Sequence, residues 1–319
     1  MLNLCHLSQE DSQTKCKPEP MKTETLAKFA VALSGVAWGL FWIPLRALND
    51  AGLDKFWSFI SFNMTPALIL LPLFLWRLKH HFHGGKWLFL IGLCMGLTQV
   101  FYSLSVLHTE IVRAMILFYF NPVWSTLLAR FFLKEAITPI RWAAIAIAFL
   151  GMFIILQADV SLPVPENLGD WSALVAGLAW SSSVVLLRYH QEQKPLDLFT
   201  QNFIWTGVLL LPFLFFAGTA NAPPLSLVVA QFWWLIPFLL FVAMVGVYAS
   251  MWAVPLLAPA IVGVLYMTEI SAGAISSAFL SDEPFGTREI LGIALITLAA
   301  ILESARDMWR VRRLGTQRL

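Results

Sequence analysis
The chain has 319 residues, 59% of them apolar and 13% charged, with 14 Trp and 25 Phe. This composition excludes a water-soluble globule. The net charge of +2, with Lys and Arg segregated rather than clustered beside aromatics, argues against nucleic acid as a partner. Three cysteines, Cys5, Cys16 and Cys94, make neither a paired framework nor a metal-ligand spacing.

A hydrocarbon core about 30 Å thick needs roughly 20 apolar residues of helix to cross it. Ten runs approach that size: 29–48, 56–76, 87–107, 111–133, 140–156, 171–187, 198–217, 232–257, 261–280 and 290–302. Each is continuously apolar, not alternating as in a membrane barrel. The predicted fold class is therefore all-α and integral to a lipid bilayer, with ten transmembrane helices. Residues 1–27, polar and holding Pro18 and Pro20, read as a disordered cytosolic tail in which Met21 is a second candidate start. Residues 158–170, with Pro163 and Pro165, read as a linker, and 306–319 as a basic cytosolic tail.

Charge sets the expected direction. With both termini cytoplasmic, the outer side keeps only Arg46, Lys55, Arg113 and Arg288 of the 21 Lys and Arg, in line with the positive-inside rule and an even number of spans.

Gly35-Val36-Ala37-Trp38 recurs 142 residues later as Gly177-Leu178-Ala179-Trp180, and at the same offset Arg46 meets Arg188. At an offset of 148, Phe131 pairs with Phe279 and Glu135 with Glu283. Two five-helix repeats, 28–157 and 171–305, account for these echoes. Because five is odd, the second repeat enters the bilayer from the opposite side, giving two inverted repeats.

With the Gly-x-x-Trp step in spans one and six, Pro122 amid span four, and the acidic endings Leu133-Lys134-Glu135 and Asp282-Glu283-Pro284, the sequence resembles the drug/metabolite transporter (DMT) superfamily, specifically EamA-type permeases with two EamA repeats. The resemblance covers nearly everything from Leu26 to Glu303. It implies a secondary transporter of the cytoplasmic membrane, often an exporter of amino acids or related metabolites. Such proteins often carry Arg in the second span of each half, where this chain has Asn63 and Asn202. They often carry a proline in span nine, where Ile270 stands opposite Pro122.

Glu269 is the most informative single residue, ninth in a twenty-residue span and so about 12 Å from its end. An acid at that depth costs about 2.5–3.5 kcal/mol on insertion and needs a local reason. It reads as a proton-coupling site, as an anchor for a substrate ammonium, or as a buried structural hydrogen bond. Tyr119, Asn121 and Pro122 occupy the internal counterpart of Met267, Glu269 and Ile270, and Pro122 frees a helical carbonyl near Phe118. The amides Asn63, Gln99 and Asn202 read singly as interhelical glue. With Trp38, Trp180 and Tyr248 they would furnish polar groups and flat faces around a central cavity for a small amphiphile. Arg113 reads as a snorkelling anchor or a substrate clamp. His80, His81 and His83 read as a solvated loop, not a metal site. The pairs Gly35 with Gly39 and Gly92 with Gly96 read as close-packing sites.

The expected activity is secondary transport of a small molecule, an amino acid or amphiphilic amine, by alternating access, with export favoured and proton coupling through Glu269. No cofactor and no enzymatic role are expected. The rivals are an integral-membrane enzyme acting on lipid, for which the acids are too scattered, and a non-transporting sensor or scaffold.

Overall fold
The computed structural model describes residues 20–109, 111–156, 164–217, 222–280 and 286–316, and all regular structure among them is helical. Most of the expected N-terminal tail, half of the linker and the Asp282-Glu283-Pro284 motif lie outside the described residues. Eight helical segments are long and apolar enough to cross a membrane. The two remaining runs differ for physical reasons. The run at 140–156 forms a helix of 17 residues, Pro139–Ile155, and the run at 290–302 is only 13 residues long between the charges of Arg288 and Glu289 on one side and Glu303 on the other.

The first run is split into α1 (Pro20–Gly39) and α2 (Trp42–Asp50). α1 starts inside the expected tail, where a Glu24–Lys28 ion pair of 2.7 Å bridges one helical turn. Next come α3 (Lys55–Trp76), the short α4 (Leu78–His83) and α5 (Gly85–His108). The fourth run is α6 (Ile111–Phe118) and α7 (Asn121–Phe132), and the fifth is α8 (Pro139–Ile155). In the second half, α9 (Leu168–Tyr189) and α10 (Pro195–Ala217) are followed by α11 (Leu225–Phe238), which passes through a π-helical turn, Leu239–Ala243, into α12 (Met244–Ala253). The ninth run is α13 (Pro259–Tyr266) and α14 (Thr268–Leu280). Last is α15 (Thr287–Thr316), which continues through the segment expected as a basic tail.

The two halves exchange corresponding helices. α1 packs on α13 and α14, while α9 packs on α6 and α7. The close-approach glycines lie at these crossings. A methyl group on Gly177 would meet the Phe118 carbonyl at 2.6 Å. One on Gly35 would meet Thr268 Oγ1 and, at 3.2 Å, the Tyr266 carbonyl. Phe118 and Tyr266 are again 148 residues apart, and each is the last residue of its half-helix. α8 and α15 pack as a pair through Gly151 and Gly292, where a methyl on either would lie under 2.8 Å from the other's carbonyl.

Polar contacts gather at the two ends of the bundle. At one end Arg77 pairs with Asp197 at 2.7 Å, Trp87 stacks on His190 at 4.5 Å, and Arg188 donates to the Pro255 carbonyl at 2.8 Å. At the other, Arg46, Lys55 and Arg288 line one large cavity.

Candidate functional site
Where the broken helices meet there is a chamber of about 70 Å³. Glu269, Asn121 and Tyr119 line it, with Trp38 and Trp180 as walls. The amides Asn63, Gln99 and Asn202 complete the set that the sequence pointed to. Around these stand further aromatic side chains, among them Phe41, Phe59, Tyr102 and Tyr266. Glu269 is the charged member of the lining among the described residues.

Local sequence explains the two breaks. Pro122 occupies the first turn of α7, where its missing N–H costs no helical bond, and Asn121 begins that helix. The Asn121 carbonyl accepts the Ser181 hydroxyl at 2.9 Å, which fixes the break against α9. In the second half Thr268 opens α14 and donates to the Ala32 carbonyl at 3.0 Å, fixing that break against α1. Glu269 then falls in the first turn of α14, where a carboxylate is favourably placed relative to the helix dipole. It is therefore at the start of a half-helix, not midway along a continuous one as the twenty-residue apolar run predicted.

The remaining polar side chains differ in how they are held. Gln99 donates to Asn63 Oδ1 at 3.1 Å, and Asn63 donates in turn to the Phe59 carbonyl at 3.1 Å, so this pair ties α5 to α3. Tyr266 shares a hydrogen bond of 3.1 Å with Ser34, and the Trp180 ring meets Tyr266 edge-on at 5.0 Å. Asn121 is fully buried, yet neither of its amide atoms has a hydrogen-bond partner, while the equally buried Tyr119 hydroxyl faces the Glu269 carboxyl.

The chamber opens into a vestibule of about 770 Å³, the two sharing Phe41, Phe59, Tyr102, Ser103 and Glu269. Small residues of α14, Gly273, Ala274 and Ser277, line the vestibule, and Arg46, Lys55 and Arg288 stand further along it, Arg288 paired with Glu289. Glu269 is thus reachable from one end of the bundle. The Arg77–Asp197 and Arg188–Pro255 contacts lie toward the other.

Three expectations are corrected. Tyr248 does not line the chamber: it is exposed on the outer face of α12 and packs against Phe199 with ring centroids 5.7 Å apart. Val247, Ser250 and Met251 face the chamber, and Tyr248, one residue on and so turned by about 100°, faces away. Arg113 does not snorkel. It donates to Asp170 at 2.6 Å, and Asp170, fully buried, also accepts from Thr109 at 2.7 Å and from the Glu166 backbone at 2.9 Å. His81 is not solvated but buried, with Phe74 beside its ring at 4.5 Å, while His80 and His83 are exposed. No metal-holding group of His, Cys, Asp or Glu occurs among the described residues.

Tyr102, Ser103, Ser250 and Tyr266 were missed as lining residues. For Tyr102 and Ser103 a signal existed, since both lie three or four residues from Gln99 and share its helical face.

Comparison with known proteins agrees with this geometry. The EamA-like transporter family matches residues 25–157 and again residues 167–304. A riboflavin transporter of Rhizobium johnstonii is 26% identical over 209 residues, which is 63% of this chain and 65% of the relative. The chain thus aligns with just under two thirds of that relative's length. A solved crystal structure shares the fold, with a TM-score of 0.67 over 91% of this chain and 99% of its own, at 16% identity. Two matches that together span nearly the whole described chain, on an all-helical membrane fold, establish that the protein belongs to the EamA-like transporter family, small-molecule transporters of the DMT superfamily.

Proposed function
We propose that the protein is a secondary transporter of ten spans in two inverted five-helix repeats, 28–157 and 171–305, that carries a small amphiphile by alternating access. The carrying observation is the chamber at the two helix breaks, where Glu269 and Asn121 meet aromatic walls and the vestibule leads in from one end. In this reading both termini are cytoplasmic, the membrane is the cytoplasmic one, and the structure is outward-facing, with Arg46, Lys55 and Arg288 at the outer mouth. Export is favoured, and Glu269 takes up a proton or a substrate ammonium in each cycle.

The chamber's chemistry narrows the cargo. Burying an unpaired carboxylate is costly, and the one charged group in the lining among the described residues is itself an acid. An amino acid with its carboxylate at the chamber floor is therefore disfavoured against an amine or a neutral polar end on a flat body. The named activity of the Rhizobium relative, together with the aromatic walls, supports a flat heteroaromatic cargo of riboflavin's kind.

The test is counterflow of labelled riboflavin and labelled tryptamine in proteoliposomes, with and without an imposed proton gradient. Exchange of at least one is expected, accelerated by the gradient in wild type and insensitive to it in Glu269→Gln at matched protein levels. Absence of counterflow for both would overturn the cargo class. Equal gradient response in wild type and Glu269→Gln would remove Glu269 from coupling.

A further inference from the structure
We infer that Asn121 is a specificity residue whose side-chain amide reads a paired N–H and C=O edge on the cargo, as presented by a ring lactam or imide. The inference rests on the reading of the protein as a carrier of a flat amphiphile.

The observation is the unequal state of the amides around the chamber. Asn63 has both side-chain atoms in hydrogen bonds, to Phe59 and to Gln99. Asn121 is fully buried, lines the chamber, and has no partner for either Nδ2 or Oδ1. Buried polar atoms in native proteins are almost always paired, so a cavity-lining amide with neither atom paired is matched to something that enters the cavity. Its frame is fixed: Ser181 holds the Asn121 carbonyl at 2.9 Å, and Pro122 follows directly. The Tyr119 hydroxyl, two residues away and equally buried, is turned to Glu269 instead, so Asn121 alone of the pair is left without a protein partner.

A primary amide presents a donor and an acceptor side by side. A carboxylate on the cargo would use only Nδ2 and would enter beside Glu269. An ammonium would use only Oδ1. A lactam or imide edge uses both atoms, its N–H donating to Oδ1 and its C=O accepting from Nδ2. Phe118, Trp180 and Tyr266 in the lining supply faces for the attached ring. The chamber, at about 70 Å³, holds only the polar edge of a polycycle, and the rest of the ring system extends past Phe41 and Tyr102 into the vestibule of about 770 Å³.

The experiment is equilibrium dialysis of the full-length protein in detergent against two probes, lumiflavin, whose ring carries an N–H between two carbonyls, and N3-methyl-lumiflavin, in which that N–H is methylated. Wild type is expected to bind lumiflavin about tenfold more tightly than the methylated ring, the scale of one lost buried hydrogen bond. Asn121→Leu, of similar size, is expected to weaken lumiflavin binding about tenfold and to bring the two probes within about twofold of one another. Asn121→Ala only deletes atoms, and if the leucine variant does not fold it is expected to give the same collapse of preference. Equal binding of both probes by wild type, or a preference that survives in the folded variant, overturns the role of Asn121 and leaves the carrier reading standing. Binding of neither probe while tryptamine counterflow persists also overturns it. Loss of all counterflow instead marks failure of the carrier reading itself.

Discussion
Gly177 lies against the carbonyl of Phe118 so closely that a methyl group on it would sit 2.6 Å from the oxygen. The obstacle is backbone at a helix end, which cannot rotate away as a side chain can. Gly177→Ala is expected to destabilise the protein by about 1–3 kcal/mol, the usual cost of overpacking a rigid contact. Gly273→Ala is the control, since the nearest atom to its added methyl is the Gly39 carbonyl at 3.6 Å, an ordinary contact. Thermal unfolding of the purified proteins in detergent checks the difference. Equal shifts in the two variants would mean that the α9 crossing yields more readily than its geometry implies.

Spacing made this crossing partly legible. The repeat of Gly-x-x-Trp marked Gly35 and Gly177 as equivalent, and Pro122 marked one helix break. The second break, at Met267, carries no proline: Tyr266 ends α13 and Thr268 opens α14 through hydrogen bonds to carbonyls at Ala32 and Leu265. Leu265 is a local partner, three residues back, but Ala32 is tertiary, so no local propensity announced the contact that fixes this break. Eight of the nine residues chosen as site candidates line the chamber because polar side chains in apolar spans have few places to go. Tyr248 failed because an amphipathic tyrosine is also content at a lipid-facing surface. The burial of His81 and the pairing of Arg113 were illegible for a common reason: each depends on residues of the other half, Thr200 and Gln201 in one case and Asp170 in the other.

Asp170 is the hub of a buried cluster, accepting from Thr109, Arg113 and the Glu166 backbone, and it joins the end of α5 and the start of α6 to the start of α9. Asp170→Ala strands Thr109 and the Glu166 backbone N–H and leaves Arg113 with only the Glu166 carboxylate and the Val164 carbonyl. The expected loss is about 2–3 kcal/mol, below the full cost of breaking a buried ion pair because Arg113 keeps a quarter of its side chain in solvent. Asp170→Asn is expected to recover part of this loss, since its oxygen still accepts from Thr109. A lower unfolding temperature for both variants, with alanine the worse, checks the ranking. An unchanged temperature for Asp170→Ala would show that Glu166, Val164 and solvent already satisfy Arg113.

His81 gives the protein an acid-sensitive joint. Its ring is buried between α4 and α10, 3.3 Å from the Gln201 amide and 3.4 Å from the Thr200 hydroxyl. Burial holds its pKa below the ordinary 6.5, Arg77 and His80 adding in the same sense and the nearby Asp197 opposing. A folded-state value below the unfolded one means that the unfolded chain takes up the proton first as the pH falls. The contribution of His81 to stability is therefore complete above about pH 6.5 and is lost as the pH drops through the folded value. Unfolding temperatures measured between pH 8 and pH 5 are expected to fall more steeply for wild type than for His81→Gln. Parallel curves would place the acid sensitivity elsewhere.

Arg188 closes the end of the bundle remote from the vestibule by donating to the Pro255 carbonyl at 2.8 Å, and its repeat counterpart Arg46 lines the open vestibule. If the halves exchange roles during transport, the Arg188 contact belongs to the state seen here and must break when that end opens. Arg188→Ala is then expected to shift the population toward the opposite opening. Removing one charge-assisted hydrogen bond is enough to change the balance of two states about tenfold. A cysteine introduced at Ser250, which lines the chamber, reports the change in a protein whose Cys5, Cys16 and Cys94 are replaced by serine. Labelling by an impermeant maleimide supplied on the Arg188 side of oriented vesicles should rise about tenfold in the Arg188→Ala background, while labelling from the vestibule side falls. A rise on both sides would indicate a loosened bundle, and no change on either would show that the Pro255 contact is not part of the gate.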